Sequence, residues 1–344
     1  MGRTDELEAS RGTGRGATLE DVARVAGVSR ATVSRVVRGD VQVRRDKVVK
    51  VESAVQELGY VPNNAARSLA SRQSGAVALI VPEHETRVFT DPFFSTAISG
   101  VSAGLGAGDK QLLLVLSSPG GDARTRRFVH GGHADGLLVM SHHEGDLSDG
   151  ILEEAGVPVV FIGRPPEGLG AGSVDLDNVE GGRLAARHLI ERSRRRIAMI
   201  CGPQDMPAAV DRRTGFEKEL ADAGLEPAWL SFGDFTLASG EREATALLAS
   251  GARFDALFAS SDLMALGALK KLEVQGLRVP EDVAVIGFDD IASAADEAIS
   301  LTSVINPGRQ MAERASQMLL DLIAGRETDQ QIVLRPELAV RSTT

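Results

Sequence analysis

The heptapeptide SRATVSR at 29–35 sets short hydroxyl side chains beside arginines. A helix laid in the major groove of DNA needs both kinds of group, short ones that approach phosphates and longer ones that reach base edges. Ser29, Thr32 and Ser34 are the short donors, suited to gripping the backbone. Arg30, with Ala31, stands at the exposed start of that helix, where base reading is expected. Thr18, at the start of an earlier helix, can bind phosphate together with nearby backbone N–H groups. Ser29 and Thr18 can also serve as helix caps, and the two roles are compatible. Other chemistries find less support. The close histidine pairs His130–His133 and His142–His143 lie in polar connecting segments without a third ligand at metal spacing, so no metal site is expected. The lone Cys201 follows an apolar run and reads as a small core residue rather than a nucleophile. Neither a G-x-S-x-G motif nor a P-loop occurs, so no catalytic residue and no cofactor are expected.

The elements that must carry SRATVSR are helices. Thr18 with Asp21 resembles a capping box, and Leu19, Val22, Ala23 and Ala26 recur at helical spacing. Gly27 breaks this helix, a second runs from Arg30 to Val37, and Gly39 and Asp40 end it. A third spans Arg45 to Leu58, with Val48, Val51, Val55 and Leu58 on one stripe and Gly59 as its stop. Two helices meeting at a tight glycine turn have helix-turn-helix geometry. Residues 1–16 hold almost no apolar side chains and read as a disordered tail. Residues 61–75 form a polar connector around one apolar side chain, Leu69, and should be helical only when something holds them.

From Ala76 onward the pattern changes. Apolar runs at 77–81, 112–116, 136–140, 159–163, 196–200, 256–260 and 283–288 alternate with longer helical stretches. Such continuous apolar strands mean parallel sheets covered on both faces, with enough strands for two.

Charge divides the chain in the same place. Residues 1–74 carry 13 Lys/Arg against 9 Asp/Glu, whereas the whole chain of 344 residues has 38 against 48, a net charge of −10. A basic head on an acidic body suggests that the head meets a polyanion. With one cysteine no internal disulfide can form, no apolar run is long enough to span a bilayer, and no apolar signal core opens the chain, so a cytoplasmic protein without membrane contact is expected.

TLEDVARVAGVSRATVSRVV at 18–37 followed by VPNNAARSLA at 61–70 resembles the head and hinge of the LacI/GalR family of transcriptional regulators. DPFFSTAISGV (91–101), VDLDNVEGGRLAARHLI (174–190), DRRTGF (211–216), SSDLMALGAL (260–269), VAVIGFDD (283–290) and LRPELAVRST (334–343) resemble the family in order and spacing. The resemblance implies a multidomain fold: an all-α helix-turn-helix head at 17–62, a hinge helix at 63–75, and an α/β periplasmic-binding-protein-like body at 76–344 built of two doubly wound parallel-sheet lobes. Lobe 1 is expected at about 76–174 and 304–334, and lobe 2 at about 175–303 and 335–344. The implied partners are double-stranded operator DNA, a sugar-like small effector between the lobes, and a second copy of the chain. A nucleoside or nucleobase is the alternative effector, and a solute-binding protein without a DNA role is the rival reading. No leucine heptad follows the final strand, so a coiled-coil tetramer is not expected.

The resemblance also assigns residues. Arg35 matches a base-contacting position, and Leu69 the hinge leucine that wedges into the minor groove, with Asn63 and Ala66 beside it. In a two-lobed fold the cleft lies at the carboxyl ends of the strands. Asp91, Phe93, Phe94, Arg164, Ser261 and Asp289 follow strands, Arg212 matches a ligand-binding arginine, and Phe235 an aromatic that stacks on the ligand. One of Phe93 and Phe94 is expected in the core, and Asp262 is expected as a helix cap. Ser261 stands where several sugar-responsive members carry Asn, and a late ligand-lining aromatic is replaced near Pro307–Gly308.

Overall fold

The computed structural model describes residues 17–37, 42–61, 73–106, 108–117, 123–145 and 150–344. The expected tail, the Gly39–Asp40 stop and the hinge residues Asn63, Ala66 and Leu69 lie outside the described residues. The chain divides into two compact units, Met1–Gln73 and Ser74–Thr344.

In the first unit, α1 (Leu19–Ala26), α2 (Arg30–Val37) and α3 (Arg45–Leu58) enclose a small core. Thr18 Oγ1 accepts from the Asp21 amide at 3.3 Å while Asp21 Oδ2 accepts from the Thr18 amide at 3.0 Å, so the capping box closes α1 at both partners. Gly27 ends α1 at φ 64° and Gly59 follows α3 at φ 57°, the left-handed conformation that glycine adopts without a Cβ penalty. Val22, Val33 and Val51, one from each helix, are fully buried against Ala54 and Tyr60. Each contributes about 1.5–3 kcal/mol by leaving water, which is what lets three short helices hold together.

The second unit holds two six-stranded sheets. In lobe 1, β1 (Ala76–Val81), β2 (Gln111–Leu116), β3 (Leu137–Met140), β4 (Val159–Ile162), β5 (Gly172–Leu176) and β11 (Gln331–Leu334) run parallel in the order β11-β5-β4-β3-β1-β2. In lobe 2, β6 (Ile197–Cys201), β7 (Trp229–Phe232), β8 (Ala256–Ala259), β9 (Ala284–Asp289), β10 (Thr302–Ile305) and β12 (Glu337–Ala339) form the order β12-β10-β9-β8-β6-β7, parallel except for β12 against β10.

Helices cover both sheets. In chain order they are α4 (Glu85–Thr90), α5 (Pro92–Gly106), α6 (Ala123–His130), α7 (Asn178–Glu191), α8 (Pro207–Asp222), α9 (Leu237–Ala249), α10 (Asp262–Val274), α11 (Ala292–Ala295) and α12 (Gly308–Ile323).

The chain passes between the lobes after β5, after β10 and after β11. The changeovers expected at 174/175 and 303/304 would cut through β5 and β10. The structure moves them to the loops past Leu176 and Ile305, because each strand completes its ladder before the chain leaves the sheet. Where the body begins, the buried Asp135 carboxylate accepts from the Ser74 and Gly75 amides at 2.6 and 3.0 Å and pairs with Lys110 at 2.7 Å. No helix among the described residues is long and apolar enough to cross a membrane.

Candidate functional site

On α2, Arg30, Ala31 and Arg35 are exposed, as are Ser29 and Thr18, while Thr32 and Ser34 are half-buried. Ser29 Oγ accepts from the Thr32 amide at 3.2 Å, so Ser29 caps the helix, and its hydroxyl also meets that of Thr32 at 2.9 Å. Ser29 and Arg30 open α2 and Arg35 stands exposed in its last turn, groups that can meet phosphates and base edges. Arg30 pairs with Glu20 at 3.1 Å on an exposed surface, a contact weak enough for a phosphate to displace.

The second site is the cleft between the lobes of the body. Its walls come from segments that leave the carboxyl ends of parallel strands, the position set by doubly wound topology. Counting the open solvent at its mouth, the cleft holds about 760 Å³ of atom-free space. Asp91, Phe93, Arg164, Arg212, Phe235 and Asp289 are brought together in its lining. Two expected residues are not. Phe94 is fully buried in the lobe 1 core, since neighbouring positions on α5 point about 100° apart and Phe93 takes the cleft side. Ser261 is buried and caps α10, its Oγ accepting from the Met264 amide at 3.3 Å. The cap therefore belongs to Ser261, and the cap expected of Asp262 is corrected. Asp262 is fully buried and accepts from Ser303 Oγ at 2.6 Å and the Ile291 amide at 2.8 Å, bracing the strand ends; burial holds its carboxyl well above the ordinary range.

Arg212 is the hub. It is 5% exposed, donates from Nε to Asn178 Oδ1 at 2.9 Å and from Nη1 to the Ser260 carbonyl at 2.7 Å, and lies 3.6 Å from Asp289 Oδ1. Its guanidinium stacks on Phe288 at 3.5 Å and reaches Phe235 at 5.8 Å. Burial pushes Asp289 up to about 6 although Arg212 pulls the other way, and burial also raises Asp175 to about 6 and Asp91 above its ordinary value. Ser141, Phe235 and Asp289 adopt positive φ of 60°, 66° and 106°, and such strain in non-glycine residues collects where side chains are held for function.

The cleft also uses residues that sequence reasoning missed. Arg87 lies 5.1 Å from the Phe235 ring, so two guanidinium groups approach Phe235. Asn306 donates to Asp289 at 3.0 Å. Among the described residues, Arg87 Nε and Asn306 Oδ1 are buried without a hydrogen-bond partner in the cleft wall, one donor and one acceptor. Asp175 and His142 complete the polar lining. Carboxylates beside guanidinium groups suit vicinal hydroxyls, and an aromatic plate suits the C–H face of a ring. The signal for Asp175 was present in its place at a strand end. Arg87 and Asn306 offered none, since their role depends on what packs around them. No group of three or more metal-ligating side chains occurs among the described residues.

The lobes also touch directly. His143 reaches Glu83 of lobe 1 at 3.3 Å and Asp205 of lobe 2 at 2.9 Å, and Arg164 meets Asp211 at 3.0 Å. Arg87 and Ser141 share the same Glu83 carboxylate. The hydrogen bond to Glu83 raises His143 to about 9, with Asp205 adding to it against burial, whereas burial pushes the adjacent His142 down to about 4. The folded chain thus keeps a proton on His143 that the unfolded chain loses above 6.5. Its stabilising contribution is complete below pH 6.5 and is lost as pH rises towards 9. We expect urea denaturation of the full chain to lose about 2 kcal/mol across that interval, allowing for the exposure of Asp205 to solvent. His143→Gln should flatten the slope, and equal slopes in the two chains would remove His143 as its source.

Residues 18–63 match the model for bacterial regulatory proteins of the lacI family, and residues 186–344 match the periplasmic binding protein-like domain. The chain is 43% identical over 333 residues to the HTH-type transcriptional regulator CelR of Thermobifida fusca, covering 95% of this chain and 98% of that one. It is 34% identical over 340 residues to the transcriptional repressor PurR of Aliivibrio fischeri, again covering 95% and 98%. Among solved structures, a CelR–cellobiose complex matches with a TM-score of 0.75 at 41% identity, covering 95% of this chain and all of that chain. The lac repressor dimer bound to operator and the anti-inducer ONPF matches with a TM-score of 0.85 at 27% identity, covering 96% and 99%. A helix-turn-helix head joined to a two-lobed body, matched over nearly the whole length of known regulators, means that the chain belongs to the LacI family and is a DNA-binding transcriptional regulator.

Proposed function

We propose that the protein is a homodimeric repressor of a near-palindromic operator, acting in the cytoplasm, whose grip on DNA is set by a neutral saccharide held between the lobes. The observation that carries the saccharide reading is the polar floor of the cleft. Arg212 and Asp289 lie 3.6 Å apart beneath Phe235, with Asp91 and Asp175 in the same lining. The three carboxyl groups accept hydroxyl hydrogens, and Arg87, Arg164 and Arg212 in the same lining balance their charge, a floor that suits a neutral polyhydroxyl ligand. CelR, whose complex with cellobiose is known, supports the same class. A nucleoside or nucleobase is the second reading.

The head would contact DNA through Ser29, Arg30, Ala31, Thr32, Ser34, Arg35 and Thr18, a role supported by the exposure of Thr18, Ser29, Arg30, Ala31 and Arg35, and the family resemblance assigns Asn63, Ala66 and Leu69 to the minor groove. A second copy of the chain is supported by the exposed apolar side chains of Phe89 and Leu114, which border a recess on α5 and the edge strand β2. Ligand-driven closure of the lobes then favours or disfavours the DNA-bound dimer by its differential affinity for the two states, commonly about 1–3 kcal/mol.

Thermal-shift titration with mono- and disaccharides, purine bases and nucleosides tests the effector class. Saccharides should raise the melting temperature, and a response to purines with silence from every sugar would replace this reading with the second. Fluorescence anisotropy against genomic fragments tests the DNA role. Affinity should fall by roughly a thousandfold or more between 50 and 200 mM salt as condensed counterions are released. A flat salt dependence would mean that the basic head is not the contact surface.

A further inference from the structure

His143 stands where the two lobes meet, and both of its ring nitrogens face carboxylates. Nε2 lies 3.3 Å from Glu83 of lobe 1, and Nδ1 lies 2.9 Å from Asp205 of lobe 2. A carboxylate only accepts, and a neutral imidazole carries a single N–H, so the protonated ring alone can serve both partners at once. We propose that His143 is a proton-operated latch between the lobes, closed by protein contacts alone, and that loss of its proton frees lobe 2 from lobe 1. The latch acts on the cleft whichever class of effector enters it.

The two carboxylates are not equivalent. Glu83 is buried and also holds Arg87 and Ser141, whose Oγ donates at 2.8 Å. Asp205 is more than half exposed, so water can take over its hydrogen bonds. Stranding a buried carboxylate costs more than releasing a solvated one. When the ring gives up one proton, the remaining N–H therefore stays with Glu83, and Asp205 is let go. The contact within lobe 1 survives and the one between the lobes is cut. The other charged groups around the ring do not replace it. Arg87 is engaged by Glu83, and Arg164 by Asp211. Burial keeps the adjacent His142 neutral, and the exposed Glu144 and Glu167 are acidic like Asp205.

The latch is tied to the cleft through the chain. Asp205 precedes Met206, Pro207 and Ala208, which lead into α8 and line the cleft together with Arg212. Beside it the Glu144 amide donates to the Asp205 carbonyl at 2.7 Å, a backbone bond between the lobes. Ser141, which starts the loop carrying His143, is held at φ 60°, a conformation that costs a non-glycine residue energy. The hydrogen bond to Glu83 raises His143 to about 9, so the ring keeps its proton through neutrality. The closed arrangement is favoured there and is lost as pH rises through about 9. At neutral pH an effector meets lobes already held together and need supply less of the free energy of closure.

Hydrogen exchange of the Glu144 amide in the full chain reads the latch with no effector added. Asp205→Asn and His143→Gln both leave the backbone carbonyl of residue 205 in place, so faster exchange reports separation of the lobes. The two substitutions change the local charge in opposite directions, so an electrostatic effect on the exchange chemistry cannot speed both. Asp205 is exposed, so its variant should fold. At pH 7 each variant should exchange the Glu144 amide about tenfold faster than the native chain, while the amides of the interior strand β3 keep their rates. In the native chain, protection of Glu144 relative to its intrinsic rate should fall severalfold between pH 7 and about pH 9.5, read by millisecond pulse labelling, and that fall should be absent from His143→Gln. Unchanged exchange of Glu144 in either variant, or native protection that is the same at both pH values, would overturn the latch.

Discussion

Gly215→Ala is expected to destabilise the body by about 3–5 kcal/mol, an unusually large penalty for one added methyl group. Gly215 of α8 and Gly182 of α7 lie where the two helices cross. A Cβ at 215 would sit 1.9 Å from the Val179 carbonyl oxygen, and one at 182 would sit 2.0 Å from that of Arg212. Both obstacles are backbone atoms, so no side chain can turn aside and the helices must separate. Separation has a second effect, because Arg212 stands one turn before Gly215 on the same helix and would be drawn away from Asn178 and Asp289. Gly106→Ala is the matched control. Gly106 ends α5 with nothing within 4 Å of an added Cβ, and alanine there should be neutral or stabilising by up to about 1 kcal/mol. Urea denaturation of the two variants should differ accordingly, and a Gly215→Ala chain as stable as the native one would refute the close crossing.

These glycines show where sequence reading stops. In NVEGGRLAARHLI and DRRTGF a mid-helix glycine signals only a weaker helix, and nothing in either segment says that the two meet. The strands divide on the same ground. The seven apolar runs that stood out include β1, β3, β8 and β9, interior strands buried along nearly their whole length. The five that did not are β5, β7, β10, β11 and β12. Of these, β7, β11 and β12 lie at sheet edges, where one side of the ladder faces no strand and an apolar run is not required. β10 is interior but reads as polar, because Thr302 and Ser303 are buried with their hydroxyls satisfied by Thr344 and Asp262.

Local chemistry was more legible. The cap of Thr18, the cap of Ser29 and the stops at Gly27 and Gly59 depend on residues within a few positions of one another, and each formed as its spacing implied. In the cleft, residues at strand ends could be anticipated from topology alone. Phe93 could not be told from Phe94, nor the cap at Ser261 from one at Asp262, because each choice turns on a one-residue step around a helix.

Arg212→Leu should abolish the response to effector and destabilise the body by about 3–5 kcal/mol near pH 8, because it strands largely buried polar groups. Leucine fills part of the space but donates nothing. Asn178 Oδ1 and the Ser260 carbonyl lose their donors, and Asp289 loses the cation that holds its carboxyl down against burial. The loss should depend on pH in a direction that follows from Asp289. Its value is already about 6 with Arg212 present, so without the guanidinium it must rise further. A carboxyl raised in the folded state binds a proton that the unfolded chain, titrating near 3.8, has released. Stability is then highest at low pH and falls as pH climbs towards the raised value. Arg212→Leu should therefore cost less at pH 6, where Asp289 can be neutral, than at pH 8, where protonation must be given up or the charge left buried. Asp289→Asn added to Arg212→Leu removes the group responsible and should make the cost similar at the two values. Denaturation of the native, single-variant and double-variant chains at pH 6 and 8 reads this directly. A cost for Arg212→Leu that is the same at both pH values would mean that Asp289 is not its partner in energy, whatever the 3.6 Å between them.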